Sequence, residues 1–139
     1  MILDLPPLKD SVNALERAIN AVEHNKEILG EDILEAARAG VIQNFEVTYE
    51  LCWKFIQRWF KENRSPDEAE SIRTKKDIFR MVARENLIAD PLPWFSYAEA
   101  RNLSAHTYNS KNADYIYSAA GRFLFDAKKL LSALEQIND

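Results

Sequence analysis

Apolar residues recur every three or four positions along most of this chain. That period restricts the fold more than any other feature. Leu8, Val12, Leu15, Ile19 and Val22 step by 4, 3, 4 and 3, which paints one stripe down a first helix. Gly30 reads as its C-cap and Asp32 as the N-cap of the next helix. The second stripe is wide and aromatic: Val41, Ile42, Phe45, Tyr49, Cys52, Trp53, Ile56, Trp59 and Phe60. A helix over residues 33 to about 62 would span roughly 45 Å at ~1.5 Å per residue. Gly40 inside it predicts a bend or an earlier break.

Residues 63–71, NRSPDEAES, form the one clear polar connection. Thr74 and Asp77 make a capping-box pattern ahead of a short helix with Ile78, Phe79, Met81 and Val82. Asp90 and Pro91 read as N-cap and first residue of a fourth helix. Pro93 is tolerated there, because first-turn amides lack helical partners. Trp94, Tyr97, Ala98 and Arg101 share a face of it. Asn109 or Ser110 caps a last helix with the stripe Ala113, Ile116, Tyr117, Ala120, Phe123, Leu124, Ala127, Leu131, Leu134 and Ile137. No segment reads as a strand with turn chemistry at both ends. The expectation is all-α: an up-and-down antiparallel helical bundle of four main helices plus a short one, a single domain over residues 1–139. The second and last stripes are wider than one small bundle readily covers, which points to a homodimer.

Hydrophobic residues are 47% and charged residues 29%, the balance of a globular chain. A domain of this length buries roughly 70% of its unfolded surface and needs no staples. Cys52 has no cysteine to pair with, and no Cys/His spacing suits zinc. MILDLPPLKD lacks the basic region of a signal peptide, and no stretch approaches the ~20 apolar residues of a membrane span. The expected setting is the cytoplasm, with no membrane partner, metal or cofactor. The net charge of −4 argues against a general nucleic-acid coat. One local exception is residues 71–84, SIRTKKDIFRMVAR, which set Arg73, Lys75, Lys76, Arg80 and Arg84 against Asp77. Such a run is commonly a solvated helix face; the alternative is a contact surface for RNA phosphates.

Chemistry concentrates in RNLSAHTYNS, residues 101–110. Arg101 falls on the apolar face of its helix, where a guanidinium needs an anionic partner or a water-filled cleft. Glu46 and Glu50, one turn apart, read as a solvated flank, with Glu50 placed four residues before Lys54. The sharper reading makes one of them the partner of Arg101. His106 shares a face with Asn102, four residues earlier, about 120° round from Trp94. Tyr108 nearly eclipses Arg101 if the helix runs that far. Histidine takes a proton from a hydroxyl near neutral pH. Arginine holds phosphate oxygens bidentately and stabilises developing charge. Together they can cleave RNA without metal by activating its 2′-hydroxyl. His24 lies off the first stripe and reads as inert, and Cys52 as core packing. No Gly-rich phosphate loop, G-x-S-x-G elbow or H-E-x-x-H is present.

RNLSAHTY resembles the R-x4-H-x-Y signature of the HEPN domains encoded beside minimal nucleotidyltransferases, long labelled nucleotidyltransferase substrate-binding proteins. FEVTYELCWKF (45–55) and PLPWFSYAEARNLSAHTYNSKNADYIY (91–117) are similar to segments of that family, so the resemblance covers most of the chain. It implies a homodimeric up-and-down bundle with paired motifs facing across the dimer cleft. It implies a toxin acting as a metal-independent ribonuclease, with Arg101 and His106 catalytic and Asn102 supporting them. It implies a minimal nucleotidyltransferase partner that serves as antitoxin and adenylylates the motif tyrosine, here Tyr108. An Asp often follows that tyrosine in the family; here Asn109 does, and both cap helices. The alternative is a non-catalytic subunit that binds a nucleotide or substrate for a separate nucleotidyltransferase.

Overall fold

The computed structural model describes residues 2–63, 74–105 and 109–138. They form five helices: α1 Pro6–Asn25, α2 Glu31–Glu62, α3 Lys75–Arg84, α4 Pro91–Ser104 and α5 Ser110–Ile137. Among the described residues there is no strand. The long helices α1, α2 and α5 pack on one another; α4 lies against α2 and α5, and the short α3 against α4 and α2. Tyr117, Lys128 and Asn138 of the last stretch meet Glu23, Glu16 and Leu3 in turn, so α5 runs antiparallel to α1.

The stripes meet in an aromatic hub. Phe123 of α5 sets its ring edge-on to Phe45 of α2 at 5.2 Å and to Trp94 and Tyr97 of α4 at 5.7 and 5.2 Å. Edge-to-face pairs at such spacings add about 0.5–1.5 kcal/mol each beyond the area they bury. Thr48, also fully buried on α2, is satisfied by Ser11 Oγ of α1 at 2.6 Å and by the Asn44 carbonyl at 2.8 Å. Three helix starts are capped by side chains. Thr74 accepts from the Asp77 amide at 3.1 Å, Asp90 from Leu92 at 3.0 Å and Asn109 from Asn112 at 2.8 Å.

The observed elements differ from the sequence expectation in four places. α1 stops at Asn25, whose carbonyl accepts from the Ile28 and Leu29 amides, both at 3.0 Å. Gly30 is not a C-cap: its extended backbone (φ −64°, ψ 158°) makes it the N-cap of α2. Asp32 therefore lies inside the first turn with Glu31, where negative charge suits the exposed amides. Gly40 does not break α2, which is continuous through it. Ile137 is 47% exposed, whereas Ala119 and Leu130, off the expected stripe, are buried.

The wide stripes are largely covered within one chain. α3 and α4 close over α2, so Cys52, Ile56 and Phe123 have no exposed surface. Stripe width alone thus does not demand a second copy. Burial pushes the Cys52 thiol far above its ordinary range, which leaves it inert packing. No helix among the described residues is long and apolar enough to cross a membrane.

Candidate functional site

Arg101 sits in the last turn of α4, facing α2. Its Nε lies 3.1 Å from Glu50 Oε1 and its Nη1 3.2 Å from Glu46 Oε2. The two glutamates are one turn apart on α2, so they present carboxylates along one ridge. Ser104 completes the cluster. Its Oγ accepts from Arg101 Nη1 at 3.3 Å and lies 3.0 Å from Glu46 Oε2 and 2.7 Å from the Arg101 carbonyl. The single hydroxyl proton serves one of those two acceptors at a time.

Arg101 and Glu46 are 27% and 29% exposed, Glu50 45%. The guanidinium is therefore oriented by the protein yet open to solvent. Two carboxylates against one guanidinium leave a local charge of −1 before any ligand arrives. An incoming phosphate must compete with them.

Tyr49, beneath this cluster, is buried, and its hydroxyl has no hydrogen-bond partner among the described residues. Burial first, and the Glu50 charge second, push its ionisation well above the usual phenol value. Lys75 lies over the aromatic rings of α2, 4.8 Å from the Trp53 centroid and 5.8 Å from that of Tyr49.

Asn102 occupies the adjoining face of α4 and is exposed. With Lys75, Lys76, Phe79, Phe95 and Glu99 it lines a cleft of ≈ 370 Å³ between α3 and α4. Lys76 Nζ and Arg80 Cζ each lie 5.3 Å from the Phe95 ring centroid, and Arg80 also pairs with Asp77 at 3.3 Å. The structure thus brings Lys75 and Lys76 to the cleft that Asn102 lines, and Arg101 to Glu46 and Glu50. His106, Tyr108 and Arg73 lie outside the described residues. His24 is exposed at the end of α1. Among the described residues, no three His, Cys, Asp or Glu side chains gather as metal ligands would.

Sequence reasoning missed Ser104, Phe95, Glu99 and Trp53. Two signals were available. Ser104 stands three residues after Arg101, and Phe95, Glu99 and Asn102 follow an i, i+4, i+7 pattern on one helix face.

The all-helical bundle is that of the HEPN-like helical domains. Residues 3–136 match the family described as "Nucleotidyltransferase substrate binding protein like", and the chain belongs to that family. A curated Haemophilus influenzae protein named "Probable ribonuclease HepT" is 35% identical over 100 residues, which cover 72% of this chain and 68% of that protein. A solved Haemophilus influenzae structure, described as the fold of a substrate binding domain of a nucleotidyltransferase, superposes with a TM-score of 0.87 at 29% identity. The superposition covers 96% of this chain and all of that one.

Proposed function

We propose that this protein is an RNA endonuclease, the toxin of a pair whose antitoxin is a minimal nucleotidyltransferase. The observation that carries the reading is Arg101: a partly exposed guanidinium, fixed by two carboxylates, at the head of an R-x4-H-x-Y sequence. The 35% identity to a protein named a probable ribonuclease supports it independently.

In this reading His106 takes the proton of a ribose 2′-hydroxyl. The 2′-oxygen attacks the adjacent phosphorus, and the bond from phosphorus to the 5′-oxygen breaks. The leaving oxygen takes up a proton and departs as a 5′-hydroxyl, leaving a 2′,3′-cyclic phosphate. Arg101 stabilises the extra charge on the phosphorane-like transition state. Glu50 engages Nε and Glu46 engages Nη1, so a phosphate oxygen meets the partly exposed guanidinium in competition with them. Asn102 orients His106 or the phosphate. Tyr108 is the hydroxyl that the partner adenylylates. The unit is a cytoplasmic homodimer of single-domain chains, with two motifs facing one cleft.

A second reading keeps the same partner without the chemistry: a subunit that presents a nucleotide or substrate to the transferase. The family description and the superposed Haemophilus structure favour it. The experiment that separates them incubates the purified chain with labelled RNA in EDTA, beside His106→Ala. The nuclease reading expects cleavage that survives EDTA and disappears in the variant, with folding intact. No cleavage by protein whose Tyr108 is unmodified by intact mass sinks it in favour of the binding subunit.

A further inference from the structure

We propose that the cleft between α3 and α4 is a nucleotide subsite, which holds one unpaired nucleotide of the RNA beside the scissile position. The proposal rests on the ribonuclease reading above and adds the part that selects a base. The cleft's ≈ 370 Å³ falls within the ~300–1,000 Å³ of small-ligand sites. Its lining separates into three chemistries that a nucleotide needs together. Lys75 and Lys76 both line it, Lys75 Nζ beside the Trp53 ring and Lys76 Nζ 5.3 Å from the Phe95 centroid, in a chain whose overall charge is −4. Phe95, half-buried, offers an aromatic surface above a floor made by the fully buried Phe79. Glu99 and Asn102, on the α4 wall, supply hydrogen-bonding groups.

Glu99 fixes the orientation. A carboxylate repels phosphate, so the phosphate lies toward Lys75 and Lys76 and the base edge toward α4. There a carboxylate accepts from the amino group of cytosine, or from the imino and amino groups of guanine, and finds fewer donors on uracil. Bases stack on aromatic rings, and Phe95 is the aromatic side chain of the α4 wall that can take one. Asn102, which lines the cleft, directly follows Arg101 on α4. Lys75, fixed over Trp53 and Tyr49, stands between the cleft and α2.

The test uses full-length His106→Ala protein and labelled single-stranded octamers of A, C, G or U, read by fluorescence anisotropy. The same variants are then followed for cleavage in the otherwise unaltered protein. Phe95→Leu keeps apolar volume and should weaken binding about tenfold, as loss of one base–aromatic stack does. Glu99→Gln should shrink the preference for the C or G octamer about fivefold or more, without a general loss of affinity. Lys76→Ala should lower the salt slope of binding by about one. If affinity, base preference and salt slope are untouched while cleavage persists, the subsite fails and the nuclease stands. If nothing is cleaved but the variants still lose binding, the nuclease fails and the subsite stands. Competition by free CMP or GMP at concentrations matching the oligomer's nucleotides supports the subsite and makes the free nucleotide its source. Absence of any RNA or nucleotide binding overturns it.

Discussion

Arg101 meets its charge partners before any substrate arrives, and this governs what its removal does. Arg101→Ala leaves Glu46 and Glu50 one turn apart with no cation between them, and Ser104 without its donor. The expected cost is about 1–2 kcal/mol, between the values for exposed and buried pairs. Urea denaturation should show it as a lower midpoint at unchanged m-value. Arg101→Lys should recover much of that stability but not the proposed cleavage, because one ammonium cannot hold two carboxylates and present a further edge to phosphate. Activity equal to the parent in Arg101→Lys would remove the bidentate argument. The need of Arg101 for an anion was legible in the sequence from its place on an apolar face. Glu46 and Glu50 could be named as candidates for that anion, one or the other; that both engage Arg101 was not legible, because helical periodicity places them on their own helix and says nothing of what stands opposite.

The long helices were legible as elements because their stripes repeat over many turns; their ends were not. Glycine is far commoner after a helix than before one, so Gly30 reads as the close of α1, although glycine also serves as an N-cap, the place it takes at α2. The α3 terminus shows the converse, a stop signal without glycine. Asn86 takes a left-handed conformation (φ 64°). Its amide bonds to Ala83 O at 3.0 Å and that of Leu87 to Val82 O at 2.9 Å, the Schellman pattern, with Leu87 buried beneath. Asn86→Gly should therefore raise stability by about 0.5–1 kcal/mol, through relief of the left-handed penalty. Gly40→Ala should do the same by helix propensity, since a Cβ there meets nothing within 4 Å. Thermal unfolding checks both, and a lower midpoint in Gly40→Ala would mean that this face of α2 is covered in solution.

At the scale of the molecule, the aromatic hub links stability to alkali. Burial raises the phenol ionisations of Tyr49 and Tyr97 well above their usual value near 10, and Asp126, bonded to the Tyr97 hydroxyl, adds to the second. A folded pKa above the unfolded one means that the native state keeps protons the unfolded chain releases. The stabilisation is complete below pH ~10 and declines as pH rises toward the folded values, by about 1.4 kcal/mol per pH unit for each tyrosine. Urea midpoints between pH 9 and 11.5 should fall with that sign, and Tyr97→Phe should flatten the decline. A slope unchanged by that substitution would assign the loss to other groups. The all-helical architecture was legible from the stripes alone. Stripe width does not by itself argue for a second copy, because α3 and α4 cover part of α2 and no stripe announces which helix will cover it.

Leu3 and Asn138 hold each other through two bonds, 2.6 Å from the Leu3 amide and 3.0 Å to its carbonyl, across 135 residues of chain. Closing so long a loop has a large entropic cost, so this contact belongs to the final stage of folding, after the neighbouring helices have paired. Asn138→Ala should accordingly hasten unfolding and leave the folding rate nearly unchanged. The Leu3 amide becomes a natural clock for the joining of the two chain ends: its hydrogen exchange times how often they part while the bundle between them stays folded.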